Sequence, residues 1–138
     1  MSSKARFTGK LITVHINGRR HKLGKALRYI CSNGDVVVAN MGFISDFASI
    51  PWPARMLLPR SGPYNPAAVI HDWLYEKQVI SGDVGLVPVS RLRADQIFLE
   101  AMRVCKVPVW KRRIMYRGVR LGGWAPWANH KRKKRRQK

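Results

Sequence analysis

The sequence predicts an α+β fold, in which N-terminal antiparallel β-hairpins forming a small sheet are followed by about three helices. Three observations point there. Two turn sequences, Asn17-Gly18 and Ser32-Asn33-Gly34, separate runs rich in β-branched and aromatic residues, and Asn-Gly suits a tight hairpin because both turn residues adopt positive φ. Three later stretches open on helix-start residues, Pro66, Ser90 and Pro108, and run on in good helix formers. Between the two halves, Pro51, Pro53 and Pro63 forbid a regular strand or an unbroken helix.

Strands are expected over about residues 6–45, four or five in number. Phe7, Leu11, Thr13, Val14 and Ile16 precede the first turn; Leu27, Tyr29, Ile30 and Cys31 precede the second, after which Asp35 opens VVVA. Lys and Arg fill the alternate positions, so one face of the sheet should be basic. The next stretch, MGFISDFASIPWPARMLLP, reads as an ordered loop, because Phe43, Ile44, Phe47, Ile50 and Trp52 are too apolar to be left in water. Within it Asp46 and Ser49 bracket a turn and are expected to fold back towards the first helix.

That helix spans about residues 66–77 and carries His71, Asp72 and Tyr75 where a short helix should be apolar. His71 and Tyr75 are four apart, hence on one face. QVISGDVGLVPV follows as a loop or small hairpin turning at Ser81-Gly82-Asp83. A second helix covers about 90–106, with Ser90 as N-cap; Leu92, Asp95, Leu99 and Met102 fall at i, i+3, i+7 and i+10, which sets a carboxylate inside an apolar stripe. A third covers about 108–120, with Val109, Ile114 and the 116–119 region on its apolar side. Gly122 and Gly123 end it. Residues 1–123 are expected to form one domain, and 124–138 a Trp/Pro segment leading to a basic tail.

The formal charge of +20 on 138 residues is unevenly placed. Residues 1–34 hold eight Lys/Arg and no acid, 35–100 hold five bases and all seven acids, and 101–138 hold fourteen bases and no acid. Such a balance implies a polyanionic partner, DNA or an anionic membrane surface. The candidates are Lys131, Arg132, Lys133, Lys134, Arg135, Arg136 and Lys138, a run expected to be disordered until a polyanion holds it. Trp124 and Trp127 beside it can stack on bases or settle at a membrane interface. No apolar run approaches the ~20 residues of a membrane span, and the N-terminus lacks the apolar core of a signal peptide, so synthesis in a cytoplasm is expected. Cys31 and Cys105 have no CxxC spacing and read as core residues.

If the first two helices pack together, Asp95 can come opposite His71. A carboxylate on one imidazole nitrogen fixes the tautomer and favours the imidazolium, so it should raise the His71 pKa and leave the other nitrogen to take a proton from water. Asp72, about 100° further round the helix, could hold a hard divalent cation with Asp46 and loop carbonyls as further oxygen ligands.

AAVIHDWLY followed by ADQIF resembles the secretory phospholipase A(2) pattern, in which a His-Asp-x-x-Tyr helix is followed by a helix supplying an aspartate. The resemblance implies His71 as general base, Asp95 as the residue orienting it, Tyr75 as a phenol in the supporting network and Asp72 as a ligand of Ca2+. Ala67 and Ala68 stand where that family usually has cysteines. The order LRYICSNGDVVVANMGFISDFASIP, YNPAAVIHDWLY and RADQIFLEAM is similar to a domain family of unknown function found in tailed-phage genomes. That likeness implies a phage or prophage origin, hence synthesis in the cytoplasm of a bacterial host, and a place in the virion, with other virion proteins as neighbours. Two classes of function follow: a hydrolase in which His71 and Asp95 activate water for metal-assisted attack on an ester such as a lipid, or a non-enzymatic phage component whose basic ends hold DNA or an acidic virion neighbour.

Overall fold

A computed structural model describes residues 4–18, 20–45, 65–82 and 85–137. The described elements run β1 (Arg6–Thr8), β2 (Thr13–Asn17), β3 (Arg20–Leu23), β4 (Leu27–Ile30), β5 (Val36–Ala39), β6 (Ile44–Ser45), α1 (Asn65–Lys77), β7 (Val79–Gly82), β8 (Gly85–Pro88), α2 (Arg91–Val104), α3 (Val109–Gly122) and α4 (Trp124–Arg136). This is an α+β fold, as expected, with a fourth helix beyond the three predicted.

Both expected hairpins form, β2 pairing antiparallel with β3 and β4 with β5, although Asn17 ends β2 opposite Arg20 and, of the Asn17-Gly18 pair expected at positive φ, only Gly18 adopts it, at +49°. The strands do not form one continuous sheet, however. One sheet has the order β1-β4-β5-β7-β8 and a smaller one the order β2-β3-β6. The β2–β3 hairpin is thus an excursion between β1 and its partner β4, leaving at Gly9, whose φ of +84° few other residues adopt. Phe7 and Tyr29, paired in register, bring their rings to 4.8 Å between centroids, tilted by 53°, across the β1–β4 seam. The ambiguous stretch after α1 is a hairpin, β7–β8, which extends the main sheet through Val36 opposite Ser81. Alternation holds on β4, where Leu27 and Tyr29 are buried and Arg28 points out, while β2 is exposed along its whole length.

α1 lies at the centre. Its residues Ala67, Ala68, Val69, Ile70, Leu74 and Tyr75 are buried together with His71 and Asp72, and it packs against β4, β5, β6, α2 and α4. A helix covered on so many sides needs apolar residues all round rather than one stripe, which explains why its pattern reads weakly. It ends at Gln78, whose φ of 57° turns the chain into β7 while its N–H donates to the Leu74 carbonyl at 2.8 Å.

α2 begins at the predicted cap: Ser90 Oγ accepts from the Arg93 N–H at 3.1 Å. Its buried face differs from the one expected. Ala94, Asp95, Ile97, Phe98, Ala101 and Met102 are buried, whereas Leu92 is exposed and Leu99 half-buried. The small Ala94 and Ala101 let α1 approach, which rotates the stripe past Leu92. Glu100 on the adjoining side ties α2 to the sheet, accepting from Tyr29 Oη at 2.5 Å and Ser32 Oγ at 2.7 Å. α3 buries Val119, as expected, together with Met115, but leaves Val109 and Ile114 of its expected apolar side exposed.

Residues 124–136 are helical, including 131–136 of the basic run expected to be disordered without a polyanion. Pro126 sits in the first turn of α4, where its missing N–H costs nothing, and Ala, Lys and Arg then favour the helix. α4 returns onto α1: the Trp127 ring meets Tyr75 edge-on at 5.2 Å, and Gln78 Nε2 donates to the Trp127 carbonyl at 2.9 Å. Lys134 Nζ donates to the Lys77 carbonyl.

Candidate functional site: a buried aspartate with four donors

His71 on α1 and Asp95 on α2 are both fully buried. His71 Nε2 lies 2.8 Å from Asp95 Oδ1, the contact expected from the sequence. Tyr75, one turn beyond His71, donates its hydroxyl to the same oxygen at 2.7 Å. The other oxygen faces two guanidinium groups that the sequence pattern does not foretell. Arg120 Nη1, from α3, donates to Oδ2 at 2.7 Å, and Arg91 Nη1 stands 3.5 Å away. Arg91 also donates to the Val119 and Arg120 carbonyls at 3.1 and 3.3 Å, holding the last turn of α3. One carboxylate therefore joins α1, α2 and α3.

The electrostatics follow from this geometry. Burial works to raise the Asp95 pKa, but the donors His71, Tyr75 and Arg120 outweigh it and hold the carboxyl below its ordinary range. His71 departs from expectation: burial lowers its pKa more than the Asp95 hydrogen bond raises it, and Arg91 pushes the same way as burial. The imidazole is stacked on Phe98 at a centroid distance of 4.4 Å. A third positive charge in a site that already holds two guanidinium groups is unfavourable, so the ring is neutral near pH 7 with its proton on Nε2, shared with Asp95. The lone pair of that tautomer is on Nδ1. Tyr75 is shifted upward by burial and by the carboxylate it donates to, so it stays a phenol.

A glycine completes the arrangement. A Cβ on Gly123, between α3 and α4, would stand 2.3 Å from Tyr75 Oη and 2.4 Å from the Val119 carbonyl. Only glycine lets the chain turn here against the tyrosine that Asp95 holds.

Of the other expected residues, Asp72 is buried on α1 at 4% exposure, and Asp46 and Lys138 lie outside the described residues, as does Ser49. No group of three or more His, Cys, Asp or Glu that could hold a metal occurs among the described residues. His15 and His21 face each other across β2 and β3, with ring centroids 5.2 Å apart, and His130 is on α4. Among the described residues no helix is long and apolar enough to cross a membrane.

The basic residues take the opposite environment. Lys131, Arg132, Lys133, Arg135 and Arg136 are exposed on α4. Among the described ion pairs, the only one drawing on the basic stretch after residue 100 is that of Arg120 with Asp95. Asp35 is used by Arg93 and Glu76 by Lys77. A cleft of about 480 Å³ opens between α4 and the start of α2, lined in part by Ser90, Arg91, Trp127, Lys131, Lys134 and Arg135. Trp127, expected as a stacking surface, is instead half-buried against Tyr75.

A family model described as a protein of unknown function, DUF1353, matches residues 21–119. The chain belongs to that family. DUF1353 is the phage-associated family of unknown function that the sequence blocks resemble, whereas no relationship to phospholipase A(2) is found. No curated protein and no solved structure matches the chain. The DUF1353 match takes in His71, Asp95 and Arg91 and stops one residue before Arg120, so β1, β2 and the basic helix α4 lie outside it. The sequence signals for the missed residues were slight: Arg91 stands four before Asp95 on one helix face, while nothing local distinguishes Arg120 from the other arginines around it.

Proposed function

We propose that this DUF1353 chain is a non-enzymatic phage component that grips a polyanion, duplex DNA in the first instance, through helix α4. The observation that carries the reading is the contrast in pairing: α4 presents five exposed bases without a described carboxylate partner, on a helix whose first turn is fastened to the core by Trp127 and Gln78. A fastened basic helix presents its charges together, and binding to phosphates releases counterions irrespective of sequence. In this reading the Asp95 cluster is structural. It fixes the end of α3, and through Tyr75 and Gly123 the direction in which α4 leaves. The same charges suit an acidic virion neighbour.

The test is duplex binding over a salt series, for the full chain and for a variant with Lys131, Arg132, Lys133, Arg135 and Arg136 changed to Gln, which keeps helix propensity. The slope of log K against log salt should fall by ~0.9 for each phosphate that the variant no longer neutralises. Unchanged slopes remove DNA as the partner of α4.

A second reading is favoured by one observation, the presence of His71, Tyr75 and Asp95 in a single hydrogen-bonded set. In it His71 would act as the general base that takes a proton from water as that water attacks an ester, and Asp72 and Asp46 would be the residues to hold a calcium ion. Against it stand the two guanidinium groups on Asp95, which oppose the imidazolium such a step creates. Ester hydrolysis by the full chain, with and without calcium, tests it; activity abolished by His71→Gln would replace the first reading.

A further inference from the structure

We infer that α3 carries a second binding surface, suited to the anionic face of a lipid bilayer and separate from the DNA-binding role of α4. Trp110, Ile114, Arg117 and Leu121 follow one another at i, i+4, i+7 and i+11, so at about 100° per residue they share a strip about 60° wide. The strip lies opposite Met115 and Val119, which are buried against the core. Trp110 is 59% exposed, Leu121 81% and, at the start of α4, Trp124 64%. Exposed Trp110, Ile114 and Leu121 on one side of α3, with the basic Arg117 among them, make a mixed apolar and basic surface suited to an interface.

The charge around the strip decides what covers it. Arg113 and Arg117 are exposed beside the apolar residues, and Lys111 Nζ stands 5.9 Å from the Trp110 ring centroid. No acidic residue occurs anywhere from 101 to 138. A second copy laid on this face would set these bases against their own kind. Nucleic acid would meet the bases but leave Ile114 and Leu121 without an apolar partner. A bilayer containing anionic lipid satisfies both parts: the apolar side chains enter the boundary between headgroups and acyl chains, the bases meet lipid phosphates, and tryptophans at both ends of the strip suit that boundary. α3 would lie in the plane of the surface.

Sedimentation of the full chain with vesicles of phosphatidylcholine, alone or mixed with phosphatidylglycerol, tests this. The chain should partition onto the mixed vesicles and not onto phosphatidylcholine alone, and the double variant Ile114→Ser, Leu121→Ser should partition roughly tenfold or more weakly. Both positions are exposed, so its thermal unfolding and DNA affinity should match the unaltered chain. A Lys111→Gln, Arg113→Gln, Arg117→Gln variant should lose the preference for phosphatidylglycerol. Equal partition of the Ser variant would overturn the proposal. So would loss of DNA binding in that variant, which would assign the strip to nucleic acid, or loss of self-association without any vesicle binding, which would assign it to a second copy.

Discussion

Asp95 and α4 handle charge in opposite ways. At Asp95 a single buried carboxylate meets an imidazole, a phenol and two guanidinium groups, so the charge is consumed by the fold. On α4 five exposed bases have no described carboxylate partner, so the charge is left for something outside. The same residue types hold elements together in one place and stand exposed, without a described carboxylate partner, in the other. The pairing, rather than the residue, separates the roles.

The comparison breaks most severely at Asp95. Asp95→Ala leaves Arg120 and His71 facing one another without the carboxylate between them, and removing one member of a buried charged set costs about 3–5 kcal/mol. Urea denaturation should register a loss of that size; less than about 1 kcal/mol would mean that the cluster is wet and loosely packed. Gly123→Ala comes next. Its Cβ overlaps Tyr75 Oη and the Val119 carbonyl, and forcing such overlap costs about 1–3 kcal/mol. Tyr75→Phe should cost only about 1 kcal/mol alone and should relieve part of the Gly123→Ala loss in the double variant. Strict additivity would show that α4 does not lean on Tyr75.

Acid should act on the cluster and spare α4. The folded-state pKa of His71 lies below its ordinary 6.5 because of burial, so below that pH the unfolded chain takes up a proton that the folded chain refuses, and stability declines. Asp95 is held below its ordinary 3.8, so its contribution is present above that value and lost as pH falls through the folded value. Thermal unfolding should therefore be insensitive to these two groups above about pH 7, decline first below 6.5, and decline again in strong acid. His71→Gln should flatten the first decline. The smallest effect belongs to α4: neutralising its exposed bases should change stability by no more than about 0.5 kcal/mol, while changing DNA affinity strongly.

Local chemistry announced much of this fold. Asn17-Gly18 and Ser32-Asn33-Gly34 closed the hairpins expected of them, Ser90 capped its helix, and the misfit of His71 and Asp95 in apolar surroundings foretold their contact. What failed to show was long-range. Nothing in alternation tells a strand which neighbour to take, so the division into two sheets was hidden. Arg120 reaches Asp95 from 25 residues away. The α4 helix does not show in the sequence because a run of like charges reads as a disordered tail, whereas Trp127 and Gln78 fasten the start of this helix to the core. Leu92 on α2 and Val109 and Ile114 on α3 are exposed where an apolar side is expected, because which side of a helix meets its neighbours is settled by long-range packing.

The claim that the cluster serves the fold and α4 serves the partner meets its most direct test in His71→Gln. Glutamine can place an N–H near the position of His71 Nε2 and so keep a donor on Asp95 Oδ1, while removing every imidazole function. Affinity for duplex DNA over a salt series, measured with this variant beside the unaltered chain, should give the same constant and the same slope. A folded His71→Gln protein that no longer bound DNA, or that lost an ester-hydrolysing activity the unaltered chain possessed, would contradict the account.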